Sequence, residues 1–246
     1  MFPLKSTVPT RHQPFVVWGL ITANTFVFLI QAGMSESELA AFLSRFALIP
    51  ARYFAGEALA PSLRAPNSYW PLLTNAFLHG GWLHLILNMW TLWLFGPAVE
   101  DRLGSIRFLL FYLACGVLAS LTYVYFDPAS MVPALGASGA IAGVLGSYTV
   151  MFPWSHVVVL VPVLFLPLFF ALPAIVFTGL WFLVQLLSGT AQLFAGGDEG
   201  GIAWWAHVGG FLAGMVLTPL LRRAPDIYRD YAGDEIVLGF RPRSWR

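Results

Sequence analysis

Apolar runs long enough to cross a lipid bilayer recur along this chain, and they constrain its fold more than any other feature. A helix needs about 20 predominantly apolar residues to span a hydrocarbon layer of about 30 Å. Six stretches qualify: 15–32, 73–95, 108–126, 135–152, 169–187 and 202–221. Composition agrees, because 58% of the residues are hydrophobic and only 10% are charged, where a soluble domain carries about a quarter charged. That balance excludes a disordered chain and a fibrous repeat. The single cysteine, Cys115, excludes an intrachain disulfide scaffold. A net charge of +1 offers no electrostatic footprint for nucleic acid. The chain reads as an all-α, polytopic membrane protein.

The first run is too long, and lacks the small-residue cleavage site, for a cleaved signal peptide. Residues 157–170 are apolar but contain Pro162 and Pro167, which interrupt a continuous helix. They read as an interfacial or re-entrant segment, with a seventh span as the competing possibility. Basic residues set the orientation. Lys5, Arg11, Arg102, Arg107, Arg222, Arg223, Arg229, Arg241, Arg243 and Arg246, ten of the thirteen, fall on one side of a six-span arrangement. Both termini are therefore expected in the cytoplasm. The expected organisation is a cytoplasmic tail over 1–14, a membrane domain over 15–221 and a polar cytoplasmic tail over 222–246. In the first outer loop, 33–71, Ser35-Glu36-Ser37-Glu38 has a capping-box pattern. It precedes Leu39, Phe42, Leu43 and Phe46 at helical spacing. This predicts a helix, either amphipathic and lying in the outer interface or an ordinary capped surface helix.

Ionisable and polar groups inside spans are costly and mark function. Here they are His84 and Asn88 in span two, Ser138 opening span four, and His207 opening span six, with His79 a little outward of His84. At about 1.5 Å rise per residue, Ser138 and His207 each lie roughly 22 Å above the inner boundary. Asn88 and His84 lie at roughly 18 and 24 Å. Three helices thus bring polar groups to one level. His84 and Asn88, at i and i+4, share a helix face. Gly210 and Gly214 follow His207 at i+3 and i+7, and span four offers Gly139, Ala142, Gly143 and Gly146. Such small residues let membrane helices approach closely, so a serine on one backbone can reach a histidine on another.

Taken singly, each feature has a bland explanation. A serine in a membrane helix commonly bonds its own i−4 carbonyl, and a lone histidine serves as a structural donor or part of a proton path. Four polar groups at matched depth favour a site. Three hydrolytic chemistries can be tested. A zinc centre needs three ligands and usually a carboxylate base, and no H-E-x-x-H occurs. A paired-aspartate mechanism fails because none of the six runs contains Asp or Glu. A serine activated by a histidine remains, as a dyad, with no buried carboxylate to orient the imidazole.

These residues resemble the rhomboid intramembrane serine proteases. The resemblance rests on Gly136-Ala137-Ser138-Gly139, on His84-x-x-x-Asn88, on Ala206-His207-x-x-Gly210 and on Glu100-Asp101-Arg102-Leu103-Gly104 after span two, and it covers about 15–221. It implies a six-transmembrane-helix bundle and a serine-type endopeptidase acting on transmembrane protein substrates in the bilayer, with no cofactor or metal. Ser138 would be the nucleophile and His207 the general base. Asn88, His84 and the Ser138 backbone N–H would stabilise the oxyanion, with Gly136 supplying backbone freedom beside them. A helix start presents free N–H groups to developing negative charge, which suits that assignment. His79 would hold the outer end of span two and retain water. The resemblance also implies a bacterial cytoplasmic membrane, a cavity opening to the non-cytoplasmic side, a lid over 196–201, and lateral substrate entry between spans two and five with Trp181 and Phe182 at the gate.

Two positions depart from the family pattern. Trp70-Pro71 stands where many members have Trp-Arg. Ala142 stands where many place an aromatic residue on the catalytic imidazole, a role open here to Trp204 or Trp205. Two other classes stay in view: a transporter or proton channel using His84 and His207, and a non-catalytic binder of membrane proteins.

Overall fold

The computed structural model describes residues 1–54, 69–163, 166–195 and 203–222. In chain order the elements are strand β1 (Phe2–Ser6), helices α1 (Phe15–Ala32), α2 (Glu36–Phe46), α3 (Ala51–Phe54) and α4 (Pro71–Thr74), a 3-10 turn (Asn75–Phe77), helices α5 (Trp82–Leu103), α6 (Ser105–Phe126) and α7 (Ser138–Met151), strands β2 (His156–Val163) and β3 (Leu166–Pro173), and helices α8 (Ala174–Ala195) and α9 (Trp204–Leu221). Five of these are long and apolar enough to cross a membrane: α1, α5, α6, α8 and α9. The sixth expected span, α7, is apolar but has only 14 residues.

α1 occupies the expected 15–32, and the Ser35 capping box forms as its sequence pattern predicts, opening α2. The second expected span is displaced. Within 73–95, residues up to Phe77 form short turns begun by Pro71, and α5 starts only after Gly80 and Gly81. It then runs on to Leu103 and stops at Gly104, whose φ of 82° a residue with Cβ adopts at a cost. Glu100 and Asp101 therefore lie inside this long apolar helix, a correction to the expectation that the spans hold no acid. Both are buried. Glu100 accepts hydrogen bonds from the N–H groups of Val16 (3.1 Å) and Val17 (2.9 Å), capping α1, and from Ser105 Oγ (2.7 Å). Asp101 takes the N–H of His12 (2.9 Å) and Arg102 Nη1 (2.9 Å). Their charge is consumed in joining α1, α5 and α6 at one end.

The described residues of 157–170 form no helix, so a seventh helical span is not what this segment builds. It is a β-hairpin, with β2 antiparallel to β3 from His156↔Pro173 to Val163↔Leu166, and β1 completes the sheet on the other side of β2, Phe2 opposite Leu160. The expected fifth span, 169–187, accordingly begins only at Ala174, and the all-α expectation becomes a mostly helical fold with one small sheet. Val157 and Val159 alternate into the core, as a two-residue period requires. Ser6 Oγ lies 2.6 Å from Tyr148 Oη, and Trp90 Nε1 donates to the Pro3 carbonyl (2.7 Å), so β1 is tied to both α7 and α5.

α7 is the axis of the bundle, buried from Gly139 to Thr149. α9 packs on it at backbone contact. A Cβ on Gly210 would overlap the Gly139 carbonyl oxygen, and one on Gly214 the Gly143 carbonyl oxygen. This is the close approach expected from the small-residue spacing. Thr218 Oγ1 donates to Ser147 Oγ (2.7 Å) lower on the same seam.

Candidate active site

Ser138 is the first residue of α7. The loop leading to it is held from two directions. Leu48 and Ala134 exchange backbone hydrogen bonds (3.3 and 2.7 Å), and Gly136 N–H donates to the Asn75 carbonyl (2.9 Å). Asn75, buried, also donates from Nδ2 to Ser120 Oγ on α6 (2.9 Å). The first backbone bond of α7 is Ile141 N–H to the Ala137 carbonyl, so the N–H groups of Ser138, Gly139 and Ala140 have no acceptor within the helix.

His207 lies in the first turn of α9, and its Nε2 is 2.8 Å from Ser138 Oγ. The matched depth and the glycine seam thus bring these two side chains together across the two helices. The opposite nitrogen, Nδ1, is 2.7 Å from Gln185 Oε1 on α8. Sequence reading offered the imidazole a packing tryptophan but no hydrogen-bond partner, and passed over both Gln185 and Asn75. The available signal was an amide in the apolar run 169–187, where a polar side chain is costly.

His84 and Asn88 share the inward face of α5, as i, i+4 spacing predicts, and both meet Gly136. Gly136 has φ +120°, and a Cβ there would lie 2.7 Å from His84 Nε2 and 3.3 Å from Asn88 Nδ2. Glycine is required twice, for the left-handed backbone and for the space. Asn88 Nδ2 is buried with no hydrogen-bond partner among the described residues. A buried donor left unpaired is costly, and this one stands beside the residue two before the serine. A cavity of about 20 Å³ is lined by Gly136, Ser138, Asn75 and Ser120 among others. It is large enough for one water molecule.

His79 is buried just before α5, with its ring edge-on to His84 at 5.1 Å. Its backbone N–H donates to Gln31 Oε1 (3.1 Å) and its carbonyl accepts from Gln31 Nε2 (3.2 Å), which fixes the start of α5 against α1. The imidazole of His207 has Trp181 at 5.8 Å and Trp204 edge-on at 6.4 Å. Trp204 therefore borders the ring, whereas Trp205 stacks on Phe126 at 4.0 Å. Trp181 and Phe182, the expected gate residues, pack on Phe211 of α9 at 6.2 and 4.7 Å. Ala142 is fully buried in α7, and Pro71 opens α4 while Trp70 is exposed. The expected lid, 196–201, lies outside the described residues. Among the described residues no group of three or more His, Cys, Asp or Glu is placed to hold a metal ion.

The arrangement has the parts for acyl transfer: a hydroxyl bonded to an imidazole, that imidazole bonded to a further group, and unpaired donors beside a helix start. The family model described as Rhomboid domain matches residues 66–224. Similar proteins include the Rhomboid protease GluP of Bacillus subtilis, 49% identical over 35% of this chain and 16% of that protein. The Putative rhomboid protease YdcA of the same organism is 40% identical over 35% of this chain and 43% of its own length. Rhomboid protein 1, mitochondrial, of Saccharomyces cerevisiae is 30% identical over 89% of this chain and 56% of that protein. The chain spans less than two thirds of the length of each of these relatives.

Proposed function

This chain belongs to the rhomboid family, and we propose that it is an intramembrane serine endopeptidase that hydrolyses peptide bonds in or near transmembrane segments of other membrane proteins. The observation that carries this reading is the 2.8 Å contact between Ser138 Oγ and His207 Nε2. Ser138 Oγ attacks the scissile carbonyl carbon as its proton passes to His207 Nε2. The tetrahedral oxyanion is met by Asn88 Nδ2, His84 and the Ser138 N–H, with Gly136 keeping that space open. Collapse expels the amine, which takes the proton from His207 and leaves an acyl group on Ser138. Water then attacks the ester, His207 takes its proton, and Ser138 recovers a proton as the acid product departs.

The membrane domain of 15–221 crosses the bilayer six times, with α7 as the shortest crossing and both termini in the cytoplasm. Ten of thirteen basic residues on one side support that orientation, and we assign the protein to a bacterial cytoplasmic membrane. The site opens to the opposite side, at the Ser138 end of α7. A substrate helix must unwind there, because its backbone groups are already paired in lipid. Purified Ser138→Ala and His207→Ala proteins are expected to fold and to lose cleavage of a reporter transmembrane substrate in proteoliposomes. Retained cleavage by either one overturns the assignment. An ion flux in the same vesicles that is lost with His207→Ala but kept with Ser138→Ala would point to the transporter class.

A further inference from the structure

Resting on the serine-protease reading above, we propose that Gln185 is the positioning residue for the catalytic base, an uncharged third member of the hydrogen-bond chain that fixes which nitrogen of His207 carries the proton.

An amide has two unlike ends, and here each is committed. Gln185 Nε2 donates to the Trp181 carbonyl one turn back on α8 (3.3 Å), which leaves Oε1 facing His207 Nδ1 at 2.7 Å. A carbonyl oxygen only accepts, so Nδ1 must carry the hydrogen. The lone pair of a neutral imidazole then lies on Nε2, which faces Ser138 Oγ at 2.8 Å. That is the tautomer able to take the serine proton. The reverse tautomer would set two lone pairs against each other at Nδ1 and make Ser138 an acceptor. Gln185 is only 5% exposed, so water does not compete for the bond.

The bond also strengthens when it is needed. Once His207 holds the serine proton, Nδ1–H becomes a charged donor, and hydrogen bonds from charged donors are roughly twice as strong as neutral ones. A carboxylate in this place would do more, but burying its charge without full compensation is expensive. An amide gives direction without that cost.

The placement of Gln185 is itself over-determined. Thr178, seven residues earlier on the same face of α8, has its Oγ1 2.8 Å from Thr149 Oγ1 of α7. Phe182 stacks on Phe211, and a Cβ on Gly189 would lie 3.2 Å from Trp204 and Trp205 atoms. Residues 178, 181, 182, 185 and 189 thus form one stripe that docks α8 on the α7–α9 pair. The nucleophile and base come from α7 and α9, and the group that orients the base comes from a third helix.

The test compares wild type, Gln185→Leu, Gln185→Glu, Ser138→Ala and His207→Ala in proteoliposomes, reading kcat and KM on the reporter substrate and the rate of fluorophosphonate labelling of Ser138. Gln185→Leu removes the acceptor at similar volume. We expect its kcat and labelling rate to fall together, about tenfold or more, with KM within about twofold of wild type. Gln185→Glu restores an oxygen acceptor at the same place, and we expect it to recover kcat and labelling rate well above those of Gln185→Leu. Unfolding temperatures show that each variant is folded. Full kcat in Gln185→Leu while Ser138→Ala and His207→Ala are dead overturns this role alone. Equal loss in Gln185→Leu and Gln185→Glu also overturns it, since then shape and not the acceptor matters. Activity retained in Ser138→Ala or His207→Ala instead removes the protease reading beneath it.

Discussion

Gly210 of α9 lies against the carbonyl oxygen of Gly139 in α7, with no room between them for a Cβ. Gly139 is next to Ser138 in sequence, and Gly210 is one turn below His207. The distance between nucleophile and base is thus set by a backbone-to-backbone contact directly beneath them, repeated one turn further on by Gly143 and Gly214.

Gly210→Val is expected to force α9 away from α7 and separate the two reacting groups. Overpacking costs about 1–3 kcal/mol, and a displacement of about 1 Å at a reacting centre can cost about a hundredfold in rate. Cleavage should therefore fall by about two orders of magnitude, with a lowered unfolding temperature. Gly19→Ala, inside α1 with nothing within 4 Å of an added Cβ, serves as the control: cleavage should match wild type and the unfolding temperature should hold or rise slightly.

Asn88→Ala should separate activity from stability. Removing one oxyanion donor costs about 10²–10³ in kcat, and KM should change little because the donor acts on charge that develops later. The unpaired Asn88 Nδ2 contributes no bond to the folded protein among the described residues, so the unfolding temperature should hold or rise. An unchanged kcat, measured on the reporter substrate, would remove Asn88 from the site.

Glu100→Ala should do the reverse. It uncaps Val16 and Val17 and leaves buried N–H groups unpaired, a cost of about 1–3 kcal/mol. Thermal unfolding should shift downward while kcat per folded molecule, counted by fluorophosphonate labelling, stays near wild type. A selective loss of kcat at full labelling would mean that this cluster acts on the chemistry as well.

Much of this protein could be read from local sequence. The span at 15–32 and the capped helix after Ser35 follow from patterns complete within a few turns of chain. The meeting of Ser138 with His207 was legible too, because depth in a bilayer follows from counting residues, and because Gly139, Gly143, Gly210 and Gly214 announce a close seam. The third helix announced less. Gln185 sits in an uninterrupted apolar run, and nothing near it in sequence says that its amide meets an imidazole. Asn75, Glu100 and Asp101 are of the same kind, buried groups bonded to residues far along the chain.

The hairpin marks the boundary most clearly. Residues 157–170 carry apolar content suited to a span and prolines that forbid one, and local pattern leaves the matter open. In the fold β2 pairs with β3 on one edge and, on the other, with β1 from the far end of the chain, Phe2 opposite Leu160. Hydropathy and helix capping belong to neighbours along the chain, so sequence alone determined which segments are apolar, where several helices begin, and which polar groups share a depth. Burial removes water as a partner, and every desolvated N–H, carbonyl or amide must then find another from whatever segment packs beside it. That choice of partner is a property of the folded molecule, and only the tertiary structure decided it.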